Sequence, residues 1–195
     1  MESPAAEKVG MPLADFIAAS NQQVFELING ERRNKMPTVF GHSKTIRTTF
    51  RLLDTHAVAH ELGEVYSETT FVLPDTYDAE WVTGSRTPDV MFITKARLIE
   101  YLAQTSDADN KPLALVPDLV IEIVSPSDAW SEVDEKIELY LADGVRMVWV
   151  LDPQRRKGFV YTPESDTPRV LKGDALLSGG DVLPGFSIPL PQVFA

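Results

Sequence analysis

Two acidic residues and one lysine in the middle of the chain have the types that metal-assisted phosphodiester hydrolysis requires. Glu122 lies inside an apolar, largely β-branched run (119–124), and Asp89 opens a second apolar run directly after Pro88. Carboxylate oxygens bind Mg²⁺ or Mn²⁺, and such an ion polarises a phosphate and lowers the pKa of a coordinated water. The third residue, Lys136, carries an ammonium group that could position this water or stabilise developing negative charge.

Each of these three residues also has an ordinary structural interpretation. A glutamate on a solvated strand face, or one bonded to a neighbouring arginine, would explain Glu122 without a metal ion. An aspartate after a proline is a common turn residue, which would explain Asp89. The stem of Lys136 could cover apolar surface while its ammonium group reaches water. The residue types alone leave both interpretations open.

The pattern of apolar residues predicts the elements that carry this chemistry. The run 118–125 is typical of a central strand that is buried on both faces. It leads through Pro126 into a predicted helix at 131–142, and the apolar run 145–151 predicts a further strand. Strand, helix and strand in this order predict a βαβ-like unit, and therefore an α/β core.

The phase of the predicted helix turns Lys136 towards the sheet. The residues on its inward stripe are Val133, Lys136, Ile137, Tyr140 and Leu141. Because the helix directly follows the central strand, this face packs back onto the sheet, where the ammonium group can approach Glu122. Tyr140 lies one turn further along and could share the site, although an aromatic residue there is more often part of the core.

Near the N-terminus, Asn29-Gly30 is a strong hairpin signal, because a type I′ turn needs positive φ at both central residues. Residues 24–28 are therefore predicted to pair with 31–36, as an N-terminal hairpin at the edge of the α/β core. Glu26 lies on the first strand of this hairpin and is a candidate third metal ligand. An exposed hairpin glutamate with no ligand role is an equally good interpretation of Glu26.

The same periodicities predict the other elements of the first half of the chain. These are helices at 13–19, 41–60 and 95–103, the second of them ended by Gly63, and strands at 65–73, 80–83 and 87–93.

Basic residues form two short groups. On the helix at 41–60, three cations lie at positions i, i+3 and i+7, namely Lys44, Arg47 and Arg51. A solvated helix face is the favoured interpretation of these cations, and contacts with a phosphate backbone are the alternative. The second group, Arg155, Arg156 and Lys157, is interpreted as a basic turn between two strands.

Composition limits the classes of protein that fit the sequence. A length of 195 residues favours one domain over 1–195, with 1–11 as a flexible N-terminal segment. The absence of cysteine excludes disulfides, thiolate zinc sites and cysteine nucleophiles. No apolar stretch approaches the ~20 residues of a membrane helix, and no secretory signal precedes residue 11, so we expect a cytoplasmic protein without a membrane partner.

Taken together, the motifs resemble a known family. They are similar, in order and spacing from about residue 12 to the C-terminus, to the Uma-type restriction endonucleases of the PD-(D/E)XK nuclease superfamily. The segments that carry the resemblance are Phe25–Glu31, Gly41–Ser43, Thr87–Phe92, Pro117–Asp128, Glu135–Pro153 and Leu183–Phe186.

The resemblance implies a restriction-endonuclease-like α/β fold, with a mixed β-sheet flanked by helices, and a nuclease that depends on Mg²⁺ or Mn²⁺. It also implies that Asp89 and Glu122 bind the metal ion and that Glu26 is a matching acid on the hairpin. A homodimer is compatible with the family.

The resemblance further implies a displaced catalytic lysine. The superfamily's usual lysine stands two residues after the glutamate, where this chain has Val124. In this family the lysine is implied to lie on the next helix, as Lys136. His42 matches a histidine before the family's long helix and is a candidate accessory residue.

Two hypotheses about function follow. The first is a Mg²⁺- or Mn²⁺-dependent endonuclease that hydrolyses DNA phosphodiester bonds. A net charge of −11 argues against tight coating of DNA, because lysine and arginine contacts supply DNA affinity, but leaves weak or transient binding open. The second is a catalytically inactive nuclease-fold module for binding or assembly, which the acidic balance favours and the complete acid, acid, lysine set disfavours.

Overall fold

Residues 9–36, 39–78 and 80–195 are described by the computed structural model. They fall into two compact units. Among the described residues, the first unit comprises those of 9–36, 70–87 and 109–115, and the second comprises those of 39–69, 88–108 and 116–195. The single-domain interpretation stays a prediction. Of the predicted flexible segment, residues 1–8 lie outside the described ranges, whereas Met11 pairs with Val82 in a short antiparallel strand pair.

The described ranges contain four α-helices and fourteen strands. The helices are α1 (Leu13–Ser20), α2 (Phe40–Ala59), α3 (Lys95–Gln104) and α4 (Trp130–Ala142). The strands are β1 (Met11–Pro12), β2 (Phe25–Ile28), β3 (Glu31–Asn34), β4 (Gly63–Ser67), β5 (Phe71–Val72), β6 (Trp81–Val82), β7 (Ser85–Arg86), β8 (Val90–Thr94), β9 (Leu119–Ile123), β10 (Met147–Asp152), β11 (Lys157–Tyr161), β12 (Arg169–Leu171), β13 (Leu176–Ser178) and β14 (Ser187–Pro189). None of these helices has the length and apolar character needed to cross a bilayer.

The second unit is built on a six-stranded mixed sheet with the order β12-β11-β10-β9-β8-β4. β9 and β10 run parallel, and every other neighbouring pair in this sheet is antiparallel. All five residues of β9 are buried, as expected for an apolar strand with neighbours on both sides and both faces covered. The predicted central strand and the predicted strand, helix, strand order are confirmed.

The two faces of this sheet are covered by different helices. Successive side chains of a strand point to opposite faces. Ile121 belongs to a large apolar cluster that also contains Leu53 and Ala57 of α2, so α2 covers this face. Glu122 points to the other face, where Tyr140 of α4 contacts it. The helix that follows β9 therefore packs back over the glutamate of the same strand.

The first unit contains the predicted hairpin. Asn29 has φ 52° and Gly30 has φ 79°, which are the positive values that a type I′ turn requires. The hairpin is not at the edge of the six-stranded sheet, and that part of the prediction is wrong. Its strands belong to a separate four-stranded sheet with the order β3-β2-β7-β5, because β2 pairs with β7 through Leu27 and Ser85.

Two predicted boundaries also differ from the structure. α2 ends at Ala59, and Glu61, with φ 53°, takes the left-handed conformation after it. Gly63 therefore begins β4 instead of ending the helix. The single strand predicted over 65–73 is two strands, β4 and β5, because the chain turns at Glu68, which has φ 48°.

A buried aspartate ties the start of β9 to its surroundings. Asp118 is fully buried, and its Oδ2 accepts a hydrogen bond from the backbone N–H of Thr94 at 2.9 Å. Its two carboxylate oxygens also lie 3.0 Å from the guanidinium of Arg97 and 3.3 Å from that of Arg146. One carboxylate thus joins the end of β8, the first turns of α3 and the residue before β10.

Removal of this carboxylate should destabilise the second unit. We expect Asp118→Ala to lower the free energy of unfolding by about 2–4 kcal/mol, because a buried N–H and two guanidinium groups lose their partner. The measurement is urea denaturation. The control is Asp166→Ala at an exposed position, which should change stability by less than about 0.5 kcal/mol. Equal stabilities of the two variants would contradict the assigned role of Asp118.

Candidate active site

Glu122 lies on β9, and Asp89 immediately precedes the neighbouring strand β8 of the six-stranded sheet. β8 and β9 are antiparallel, with Val90 opposite Ile121. The same register, continued by one residue, sets Asp89 opposite Glu122. Opposed residues of an antiparallel pair point to the same face, with Cβ atoms roughly 4.5–5.5 Å apart. The topology therefore brings together the two acids that the sequence singled out.

The carboxylate of Asp89 is held by two donors. Its Oδ2 accepts hydrogen bonds from the backbone N–H of Ile123 at 2.8 Å and from Nε2 of His42 at 3.0 Å. Asp89 is 2% exposed and His42 is 7% exposed. An ionised Asp89 carboxylate can only accept hydrogen bonds, so this contact requires the tautomer of His42 that has its proton on Nε2. The first turn of α2 thus reaches this site through the predicted accessory histidine.

The carboxylate of Glu122 is contacted by two residues of α4. Oη of Tyr140 donates a hydrogen bond to Oε1 at 2.6 Å, and Nζ of Lys136 lies 3.5 Å from Oε2. Residues four apart in a helix lie on the same face, which explains why both side chains reach one carboxylate. The predicted approach of Lys136 to Glu122 is confirmed.

The burial of these residues decreases from Tyr140 to Lys136. Tyr140 is fully buried and Glu122 is 8% exposed, whereas the Lys136 side chain is 30% exposed. The hydroxyl of Tyr140 therefore anchors the glutamate from inside the protein. The ammonium group lies at the boundary with solvent, where a bound molecule could contact it.

A small pocket of about 80 Å³ opens beside Glu122 and Lys136. Asp128 and Glu132 line it as well, and sequence reasoning did not assign them to the site. Asp128 is partly committed to the loop, because its Oδ2 accepts a hydrogen bond from the N–H of Ser125 at 2.7 Å. The sequence did offer one indication that they belong to the site, because both lie between the predicted catalytic glutamate and the predicted catalytic lysine.

Glu26 lies in the first unit, on β2. It is 3% exposed, and its Oε1 accepts a hydrogen bond from the N–H of Thr87 at 2.8 Å. The alternative interpretation of Glu26 as an exposed hairpin glutamate is therefore wrong. Its role as a metal ligand stays a prediction.

The predicted phosphate contacts lie on α2. All three side chains are exposed, which agrees with a solvated helix face and leaves them accessible to a ligand; they are Lys44, Arg47 and Arg51.

Within the described ranges, no group of three or more histidine, aspartate or glutamate side chains is arranged to hold a metal ion. A two-carboxylate site is nevertheless sufficient for Mg²⁺, which usually keeps several waters and binds one or two carboxylates together with substrate phosphates. Asp89 and Glu122 supply hard oxygen donors of this kind. Each ionised carboxylate has about four lone-pair sites, so the hydrogen bonds described above leave capacity for a cation.

Comparison with known proteins agrees with this architecture. A crystal structure of "a putative nuclease belonging to DUF820" from Anabaena variabilis ATCC 29413 superposes with a TM-score of 0.75, at 20% sequence identity, over 94% of this chain and 97% of that chain. No curated protein matches the chain. The structural likeness confirms the predicted fold, a restriction-endonuclease-like mixed sheet flanked by helices.

A family model described as "Putative restriction endonuclease" matches residues 13–191, which is nearly the whole chain and includes every residue of the candidate site. The chain therefore belongs to the Uma2 family.

Proposed function

We propose that this protein is a metal-dependent endonuclease that hydrolyses DNA phosphodiester bonds, with Asp89, Glu122 and Lys136 as its catalytic residues. The observation that carries the proposal is the contact of Lys136 with a buried glutamate, Nζ to Oε2 at 3.5 Å, beside an open pocket. Its ammonium group is therefore directed at a buried acid and not only at solvent. Membership of the family supports the nuclease activity.

Asp89 and Glu122 are the residues that would hold Mg²⁺ or Mn²⁺. When bound, such an ion supplies Lewis-acid activation of the phosphate and a coordinated water of lowered pKa. The two acids point to the same face of adjacent strands, and the remaining coordination positions would belong to water and phosphate oxygens. Glu26 is retained as a further candidate ligand.

The other side chains orient these acids and supply charge. His42 and the N–H of Ile123 both donate to Oδ2 of Asp89, so the rotation of this carboxylate is restricted. Tyr140 restricts Glu122 in the same way from the interior. Lys136 places a positive charge at the pocket, where it can donate a hydrogen bond to a water or to a phosphate oxygen that gains negative charge.

The proposed substrate is DNA in the cytoplasm, which the protein binds weakly or transiently. The net charge of −11 requires the available cations to be clustered near the site, since repulsion from the acidic remainder lowers DNA affinity. Lys44, Arg47 and Arg51 follow His42 on α2 and are accessible, so they remain candidate phosphate contacts.

The first experiment is a nuclease assay on supercoiled plasmid and on single-stranded DNA, with Mg²⁺ or Mn²⁺. We expect the wild-type protein to cleave and Asp89→Asn and Glu122→Gln to lose cleavage. Lys136→Met should reduce kcat by about 100- to 1000-fold while the protein stays folded, because a single electrostatic contact to the transition state has this magnitude.

The matched control for the lysine is Lys95→Met. Lys95 also pairs with a glutamate, Nζ to Oε2 of Glu61 at 2.9 Å, and its hydrogen bond lowers the pKa of that carboxyl. That pair is exposed, so its loss should leave cleavage unchanged. Equal cleavage by Lys136→Met and Lys95→Met would mean that Lys136 is not catalytic. A folded wild type that cleaves no substrate would favour the inactive binding or assembly module.

Metal binding can be tested separately from cleavage. At a metal concentration 100 times the Kd, we expect Mg²⁺ or Mn²⁺ to stabilise the wild-type protein by about 2.7 kcal/mol, because the ion binds only the folded state. The measurement is the Tm with metal and with EDTA. Asp89→Asn should show no metal-dependent shift, whereas the exposed-site variant Asp166→Asn should keep the wild-type shift. The same shift in Asp89→Asn and in wild type would remove Asp89 from the metal site.

The role of Tyr140 is predicted to be the orientation of Glu122. Tyr140→Phe should keep the fold and reduce kcat/KM or metal affinity by about 10- to 100-fold, as is typical when a ligand loses its orienting partner. The chain contains a matched control, Tyr66, whose Oη donates to Oε2 of Glu64 at the same distance of 2.6 Å. Burial and this hydrogen bond raise the pKa of Tyr66, so its hydroxyl stays protonated.

The Tyr66–Glu64 bond is solvent-exposed on β4, the edge strand two strands from β9, and it involves neither acid of the site. We therefore expect Tyr66→Phe to retain wild-type kcat/KM and metal affinity. A decrease of the same size in both variants would show a general effect on stability, and an unchanged Tyr140→Phe would show that Glu122 needs no orienting bond.

A further inference from the structure

A second pocket, with a volume of about 350 Å³, lies away from Glu122 in the second unit. Three separate segments form it: the turn between β10 and β11, the turn between β12 and β13, and the 3-10 helix Leu190–Phe194. We call it the basic pocket, and its lining residues are Arg155, Arg156, Lys157, Lys172, Gly173, Pro191 and Phe194.

The charge of the basic pocket is opposite to that of the chain. Four of its seven lining residues are cations and none is acidic, although the net charge of the protein is −11. Arg155 is neutralised in part by Asp152, Nη1 to Oδ2 at 3.0 Å. Among the described residues, no carboxylate forms a salt bridge with Arg156, Lys157 or Lys172. The pocket therefore carries an excess of positive charge that is available to an anionic ligand.

Arg156 is held in an unusual conformation. Its φ is 49°, in the left-handed region that glycine and asparagine occupy more readily, and a residue of another type there costs free energy. Its guanidinium carbon lies 5.5 Å from the centroid of the Phe194 ring, within the range of a cation–π contact. An arginine is thus oriented by an aromatic ring at a turn position where glycine would relieve strain.

The basic pocket lies at the same edge of the sheet as the candidate active site, but its 3-10 helix packs on the face covered by α2, opposite to Glu122. β9 and β10 are parallel, so their carboxyl ends, which carry Glu122 and the turn after Asp152, lie at the same edge of the sheet. The N–H of Val124 still donates to the carbonyl of Leu151 at 2.8 Å, next to this turn. β11 is two strands from β9, roughly 10 Å at the usual spacing within a sheet.

We propose that the basic pocket binds the phosphodiester backbone of a nucleic acid, at the sheet edge that also carries Glu122. The choice of a nucleic acid rests on the proposed function. The pocket supplies two or three phosphate contacts to a protein whose overall charge disfavours DNA, and it fixes the position of the bound strand.

The test compares two charge-matched double variants. Arg156→Gly with Lys172→Gln removes two cations of the pocket, and the glycine also relieves the strain at position 156. Arg169→Gln with Lys95→Gln removes two exposed cations elsewhere in the same unit. In the β11–β12 pair, Arg169 lies opposite Val160, whereas Leu171, which precedes Lys172 of the pocket, lies opposite Gly158. Binding of a fluorescent DNA duplex is measured in EDTA, at several salt concentrations, alongside urea denaturation.

We expect the pocket variant to bind DNA at least tenfold more weakly at low salt and to lower the slope of log Kd against log salt by about 2, since each lost phosphate contact removes about 0.9. Its stability should be unchanged or higher. The control variant should match wild type. Wild-type binding by the pocket variant, or equal weakening in both variants, would overturn the proposal. If the pocket variant bound DNA like wild type but no longer bound anionic lipid vesicles, the ligand would be a membrane surface and the proposal would be overturned.

Failure of this inference differs from failure of the proposed nuclease. Cleavage by wild type with an unchanged KM in the pocket variant would reject the basic pocket and keep the nuclease. DNA binding that depends on the pocket, in a protein that never cleaves, would keep the pocket and reject the nuclease.

Discussion

The burial of a carboxylate on the central strand is the constraint on which the candidate site depends. Glu122 occupies a position where the neighbouring residues of β9 are apolar and buried, and an uncompensated charge there would be costly. The fold compensates it with a phenol from the interior and an ammonium group from the solvent side. Because Tyr140 and Lys136 lie on one helix, the placement of that helix determines the direction of the carboxylate and the charge at the pocket. Stability and chemistry therefore depend on the same contacts.

The connection between β9 and β10 produces this placement from elements that follow one another directly in the sequence. A strand followed by a helix and a parallel strand folds the helix back over the sheet, so residues of α4 return to the strand that precedes it. Asp118 anchors the opposite end of β9 to α3 and to the residue before β10, while Asp89 joins from β8. The acids thus come from adjacent strands of a rigid sheet, whereas the lysine comes from a helix whose register is set by its own apolar face.

Sequence reasoning succeeded where local periodicity determines the outcome. The phase of α4 predicted that Lys136 and Tyr140 face the sheet, and Asn29-Gly30 predicted the hairpin. It failed where pairing partners are distant in sequence. The hairpin strand β2 pairs with β7, about sixty residues later, and no local pattern indicates that partner. The network around Asp118 joins residues 94, 97 and 146 and is invisible to periodicity for the same reason. The basic turn was recognised, but only tertiary structure adds Lys172 and the C-terminal helix to it.

The geometry is also compatible with the displaced lysine that the family resemblance implies. A residue two positions after Glu122 on the strand points to the same face, because strand side chains alternate. That residue is Val124, and it lines the same pocket as Lys136. An ammonium group attached at either position would therefore enter one volume beside Glu122. The pocket determines where the positive charge must lie, but either the strand or the helix can carry it. Lys136 on α4 meets this constraint while Tyr140, on the same helix face, holds the glutamate, so one helix carries both the charge and the orienting bond.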